Sequence, residues 1–365
     1  MSEPQPRGPL AVPGVPPPLL WAIAAAGPVL VLVTLPFLYM QRGILGSLRM
    51  IWMLYDVMTI VLPLILLGAA GAWAFAAWRD AAPRYWRRVV AALAVCAVGL
   101  FMARVYATHI EPRRLLVREA ELRSAAVKAP LRILHITDIQ AGAVGERERE
   151  AFATMAALKP DIVLHTGDLL QPVAPATWET ELAALVPLLE SLDPPGGVWN
   201  VPGDVDMPLH MRLLVPRGGM ATLFSEGTVI DLPQGRIALF GLDIDHSREP
   251  DTASALAREF FRTEGADGAL RIVLGHSPDF MLGMEGAGAA LCLAGHTHGG
   301  QVRVPLFGPP VTFSRVPREW ARGFRTLPDG TAISVSAGIG AERDRGMPPI
   351  RFNCPPEMTL ITVRP

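Results

Sequence analysis

The stretch Leu293-Ala294-Gly295-His296-Thr297-His298-Gly299-Gly300-Gln301 decides how the rest of the chain is read. It follows a short apolar strand pattern, Ala289 to Leu293. Residues i and i+2 of an extended segment point the same way, so His296 and His298 are expected to reach a common centre. The Gly299-Gly300 pair lets the backbone turn away without crowding it. Two imidazoles at this spacing are a metal signal of moderate specificity, with a solvated loop that happens to carry two histidines as the lesser alternative.

Support comes from four loops upstream. Strand-like apolar runs lead into Asp138-Ile139-Gln140, Gly167-Asp168, Gly203-Asp204-Val205-Asp206 and His276. Strand-end loops are where open α/β folds place their ligands. Five such loops in succession, carrying Asp, Gln and His, are not explained by solubility alone.

In this order the loops resemble the calcineurin-like metallophosphoesterase superfamily, whose pattern is Asp-x-His, Gly-Asp, Gly-Asn-His, His, then Gly-His-x-His. The resemblance extends to a membrane-anchored bacterial branch through His276-Ser277-Pro278-Asp279, Pro349-Ile350-Arg351-Phe352 and Pro355-Pro356-Glu357, and it covers Leu131 to Val363. It implies a four-layer α-β-β-α sandwich and two divalent cations. Asp168 would bridge them, Asp138, Gln140 and His298 would complete site one, and Asp204, His276 and His296 would complete site two.

Two departures fall on functional positions. Gln140 stands where the family has a histidine ligand, and Asp204-Val205 stands where it has Asn-His. An amide oxygen in place of imidazole makes site one oxygen-rich, which favours manganese or iron, with zinc as the alternative. Val205 has no proton for a leaving group; Asp206, His210 or water could replace the missing acid, with an ordinary loop role as the leading reading of the two side chains. His135 and His165, inside strand patterns, are expected in the core. Asp279 is expected to orient His276, and Asp243, Asp245 and His246 form a polar loop with no assigned role.

Half of the 365 residues are hydrophobic, which places part of the chain in lipid. Leu19 to Met40, Ile51 to Ala77 and Val89 to Ala107 are each long enough to cross roughly 30 Å of hydrocarbon. Residues 1–18 are proline-rich and expected to be disordered, 19–110 to form a membrane unit of three transmembrane helices, 111–130 a charged connector, and 131–365 the metallophosphoesterase domain. Asp56 and Arg104 are expected to snorkel towards an interface. Arg79, Arg84, Arg87 and Arg88 favour a cytoplasmic loop, which with three spans puts the catalytic domain outside the cytoplasm of a bacterial inner membrane.

A net charge of -1 argues against a nucleic-acid surface. Cys96, Cys292 and Cys354 are expected as free thiols. Helical patterns at Glu146 to Leu158, Thr177 to Leu192 and Ala253 to Thr263 alternate with strands, as in a mixed α/β domain. The leading functional reading is a membrane-anchored, two-metal phosphoesterase acting on a phosphoester or pyrophosphate, of a lipid or a nucleotide. A catalytically impaired metal-binding or regulatory membrane protein is the alternative, motivated by Gln140 and Val205.

Overall fold

The computed structural model describes residues 55–79, 84–213, 215–262, 265–342 and 349–365. The proline-rich tail and the first apolar run, 19–40, lie outside the described residues. The chain divides into two units, Met1–Val105 and Tyr106–Pro365.

In the first unit, helices α1 (Leu62–Arg79) and α2 (Arg84–Val105) pack on each other. Two stretches, Val57–Phe75 and Arg87–Arg113, are long and apolar enough to cross a membrane. Asp56 and Arg104, expected to snorkel, meet each other: Arg104 Nη1 lies 2.6 Å from Asp56 Oδ1 and 2.9 Å from Thr59 Oγ1.

The second unit is built from two mixed six-stranded sheets. The first contains β1 (Leu116–Arg123), β2 (Leu131–Ile136), β3 (Ile162–His165), β4 (Val198–Asn200), β5 (Met220–Thr222) and β12 (Glu357–Arg364), in the order β1-β12-β2-β3-β4-β5. The second contains β6 (Glu226–Leu232), β7 (Gly235–Gly241), β8 (Leu270–Leu274), β9 (Leu291–Ala294), β10 (Gly323–Thr326) and β11 (Ala332–Val335), in the order β10-β11-β9-β8-β7-β6. Strands β2 to β5 run parallel, as do β7, β8, β9 and β11.

Alternation along the strands sets the layers. Leu131 and Ile133 of β2 share one core with Ile237 and Leu239 of β7 and with Leu270, Ile272 and Leu274 of β8, so the sheets meet face to face. Leu134 and Ile136 point the other way, into a core with Phe152 and Met155 of α3 (Glu146–Ala157) and Leu182, Leu185 and Leu189 of α4 (Trp178–Glu190). Across the second sheet, Val273 and Cys292 pack with Ala253 and Ala257 of α7 (Pro250–Phe260). Short helices α5 (Pro208–Leu213) and α6 (Ile244–Ser247) lie between these elements in sequence. Because β2, β3, β8 and β9 are buried on both faces, they read as continuous apolar runs, as parallel strands do.

The segment read as a connector is an edge strand. Residues 116–123 pair with β12 in parallel, Leu116 opposite Glu357 through Arg123 opposite Arg364. The charges of Arg118, Glu119 and Glu121 mark the blunted edge of a sheet, not a solvated stalk.

Candidate metal centre

Asp138 and Gln140 follow β2, Asp168 follows β3, and Asp204 and Asp206 follow β4; His276 follows β8, and His296 and His298 follow β9. Every one of these loops leaves the carboxyl end of a parallel strand, and the two sheets bring them to one edge. Two clusters result, each drawing on both sheets: Asp138, Asp168 and His298, and Asp204, His276 and His296, with the ligand atoms of each cluster within 4.8 Å of one another.

Asp168 belongs to both neighbourhoods. Its carboxylate is part of the first cluster, its Oδ2 lies 3.4 Å from His276 Nε2, and its Oδ1 accepts from the Val205 N–H at 3.0 Å. Gly203 and Gly295 have no room for a side chain, since a Cβ would be driven into the Asp168 carboxylate in one case and into Thr137 and Asp138 in the other. The loops interlock through these glycines.

His296 and His298 are not the side-by-side pair of an extended segment. Both have left-handed backbone, φ 68° and 47°, and their side chains diverge into different clusters. Asp138, Gln140 and Asp168 also have positive φ, at 49°, 38° and 60°. Such conformations each cost roughly 1 to 3 kcal/mol and collect at functional sites.

The imidazole tautomers are set by backbone carbonyls. His276 Nδ1 donates to Thr166 O at 2.7 Å, which turns Nε2 into the cluster; that nitrogen is buried, has no hydrogen-bond partner among the described residues, and lies 3.4 Å from Asp168 Oδ2. His296 Nε2 donates to Phe313 O at 3.1 Å, which leaves Nδ1 facing Asp204 Oδ2 at 2.8 Å. A ring whose far nitrogen is fixed by a carbonyl and whose other nitrogen faces the cluster is oriented as metal-binding histidines are.

Electrostatics point the same way. Burial raises the Asp138 carboxyl to about 7, with Asp168 adding to the effect and His276 opposing it. Burial alone would lower His276, yet Asp168, Asp138 and Asp204 carry it up to about 10. Burial and, next, the charge of Arg351 hold His298 well below its ordinary value, in its neutral form. Asp138 and His276 thus hold protons that a divalent cation would displace, while His276 and the other partners of Asp168 and Asp204 keep those two carboxylates ionised. The donor set of oxygens and neutral imidazoles fits divalent cations.

Several residues have roles other than those expected. Asp206 accepts from the backbone N–H groups of Asp168, Leu169 and Gly203 at 2.8, 2.9 and 2.9 Å, so it ties the β3 and β4 loops together and its oxygens are spent. His210 packs on the Trp178 ring, centroids 5.0 Å apart, and turns Nε2 towards Glu179 at 3.9 Å. Neither is presented to the clusters as an acid. Asp279 grips the Arg315 N–H at 2.8 Å and its Nε at 3.1 Å, so it acts on the segment that delivers Phe313 O to His296, not on His276. His135 and His165 are fully buried, and burial lowers them to about 3 and about 4, which keeps both neutral in the core. Asp243 caps α6 by accepting from His246 N at 2.9 Å. All three cysteines are free.

Gln140 turns a donor, not an acceptor, towards the first cluster: its Nε2 gives hydrogen bonds to Asp168 Oδ2 and Glu342 Oε2, both at 2.9 Å. Two residues absent from the sequence reading therefore enter the site. Glu342 stands beside Gln140, and Arg248 pairs with Asp204 Oδ1, offsetting the charge that an aspartate adds.

Residues 131–300 match the family model described as calcineurin-like phosphoesterase. The chain is 28% identical over 271 residues to the uncharacterized metallophosphoesterase YkuE of Bacillus subtilis (strain 168), covering 71% of this chain and 89% of that protein. It is 27% identical over 243 residues to phosphodiesterase YaeI of Escherichia coli (strain K12), covering 64% and 82%. Among solved structures, NAD nucleotidase of Haemophilus influenzae aligns with a TM-score of 0.40 and 15% identity, over 58% of this chain and 46% of that one. With the buried Asp138, Asp168 and His298 cluster, the sequence matches place this chain in the calcineurin-like metallophosphoesterase superfamily, as a metal-dependent phosphoester hydrolase.

Proposed function

We propose that the chain is a membrane-anchored, two-metal phosphoesterase that favours substrates with acidic leaving groups: activated phosphodiesters, nucleotides or pyrophosphates, including lipid-linked ones. The observation carrying this reading is the position of Asp168, whose carboxylate belongs to the cluster of Asp138 and His298 and also lies 3.4 Å from His276 of the other cluster. Asp138 and His298 would hold one cation, Asp204, His276 and His296 the other, and Asp168 would bridge. When bound, such a pair acidifies a water and neutralises phosphate oxygens. This chain's residues keep the carboxylates and lone pairs convergent, and Arg248 adds a half-exposed guanidinium at Asp204.

A lipid-proximal substrate is supported by the two apolar N-terminal stretches and by exposed side chains on segments carrying site residues: Met207, Leu209 and Leu213 after Asp204, and Leu306, Phe307 and Phe313 before the Phe313 carbonyl that meets His296. The name of the E. coli relative favours a diester.

The preference for acidic leaving groups follows from Val205 together with the placements of Asp206 and His210. General-acid assistance is worth about 10²- to 10⁴-fold, most for basic leaving groups. Turnover across aryl and alkyl phosphodiesters and pyrophosphates should therefore fall steeply as the leaving group becomes more basic, and Val205→His should flatten the slope. A flat dependence in the unaltered chain, with chemistry rate-limiting, would show that another acid is in place. No turnover on any member of the panel by a metal-loaded chain would favour a regulatory role.

A further inference from the structure

Glu342 lies on the segment after β11, distant in sequence from every loop of the motif. Three glutamines fix it. Gln140 Nε2 donates to Oε2 at 2.9 Å, Gln171 Nε2 donates to Oε1 at 3.0 Å, and Gln301 Nε2 donates to the backbone carbonyl at 3.1 Å. Because one amide nitrogen serves both Glu342 Oε2 and Asp168 Oδ2, the two carboxylates are within two hydrogen-bond lengths of each other.

An amide N–H₂ between two carboxylates is a weak substitute for a cation: it offers partial positive charge from a neutral group. To ligate a cation through its oxygen, Gln140 would have to reverse its amide and give up both bonds. The negative charge already there belongs to Glu342, not to Gln140. A hard divalent ion prefers anionic oxygen to a neutral amide oxygen.

We propose that Glu342 supplies the anionic oxygen of site one, taking over at the position that Gln140 leaves without an imidazole. This rests on the two-metal reading above. The Gln140 amide then holds Glu342 towards Asp168, and Gln171 sets the carboxylate's angle. Glu342→Gln is a demanding test, because glutamine keeps the size of the side chain and one acceptor oxygen, for Gln140 or for Gln171, while losing the charge. The backbone bond from Gln301 and one of the two side-chain bonds that pin the loop are preserved in that variant.

The experiment is a manganese titration of the metal-stripped full chain in detergent, followed by calorimetry and by melting with and without manganese. The unaltered chain should bind two equivalents. Glu342→Gln should weaken one of them by at least about 10- to 100-fold, the range seen when a residue orienting a metal ligand is lost. Its metal-free melting temperature should be unchanged or higher, and most of the metal-induced rise should disappear. Glu342→Asp, which keeps the charge one methylene back, should bind with intermediate affinity. Gln140→His with Glu342→Gln should restore the second equivalent by returning an imidazole.

Two tight equivalents in Glu342→Gln would overturn the assignment. So would a lowered metal-free melting temperature with the full metal-induced rise intact, the signature of a loop pin. An unaltered chain that binds no manganese would instead overturn the two-metal reading itself, and this proposal with it.

Discussion

Asp168→Ala should lose both cations and turnover together. The carboxylate that reaches the first cluster also lies 3.4 Å from His276 Nε2, so its removal opens a coordination position on each side. Metal-assisted stabilisation of a phosphoryl transition state is worth several kcal/mol, and a loss on that scale lowers kcat/KM by about 10³-fold or more. Metal content by mass spectrometry and turnover on an aryl phosphodiester check this. Retention of full metal-dependent turnover in Asp168→Ala would contradict the bridging role.

The second large effect concerns stability. Arg351 is fully buried, and its guanidinium donates to four carbonyls: Gly340 O from Nε at 2.9 Å, Cys354 O from Nη1 at 3.1 Å, and Ala337 O and Gly338 O from Nη2 at 2.5 and 3.2 Å. That segment backs the site: Ile339 N donates to Thr137 O at 3.1 Å, and a side chain at Gly338 would run into Asp138. Arg351→Leu would strand these carbonyls away from water. The cost should be about 3 to 5 kcal/mol, or a fall in melting temperature of roughly 8 to 15 °C for a unit of this size. Arg351→Lys should recover only part of it, because one ammonium cannot reproduce the planar fork. Melting of the metal-free chain reads this directly, and a leucine variant that melts within a degree or two of the unaltered chain would contradict it.

Much of this architecture is legible in the residues. Buried parallel strands leave continuous apolar runs, and the loops after them carry the chemistry, so Asp138, Asp168, Asp204, His276, His296 and His298 can be found without coordinates. The face-to-face packing of the sheets is less visible, since β2 and β8 are apolar on both faces and do not reveal which neighbour lies on each. Strand β1 escapes because its charges resemble a solvated connector while its pairing is with the distant β12.

Within the site, the misses share a cause. Asp206 reads as a spare acid because the three backbone N–H groups that occupy it leave no trace in side-chain identity. The divergence of His296 and His298 depends on left-handed backbone at residues other than glycine, which spacing does not encode. Glu342 and Arg248 are single charges on separate loops, brought to the site by long-range folding alone.

The most direct test of the two-metal reading is calorimetric titration of the metal-stripped full chain with manganese at pH 6 and pH 8. Burial raises Asp138 to about 7, and the surrounding carboxylates raise His276 to about 10, so protons occupy ligand positions until a cation displaces them. Raised values in the metal-free site mean that cation binding releases protons and tightens as pH rises through this window. Two equivalents, bound more tightly at pH 8 with measurable proton release, are the predicted result; no binding, or a single equivalent with the same affinity at both pH values, would contradict it.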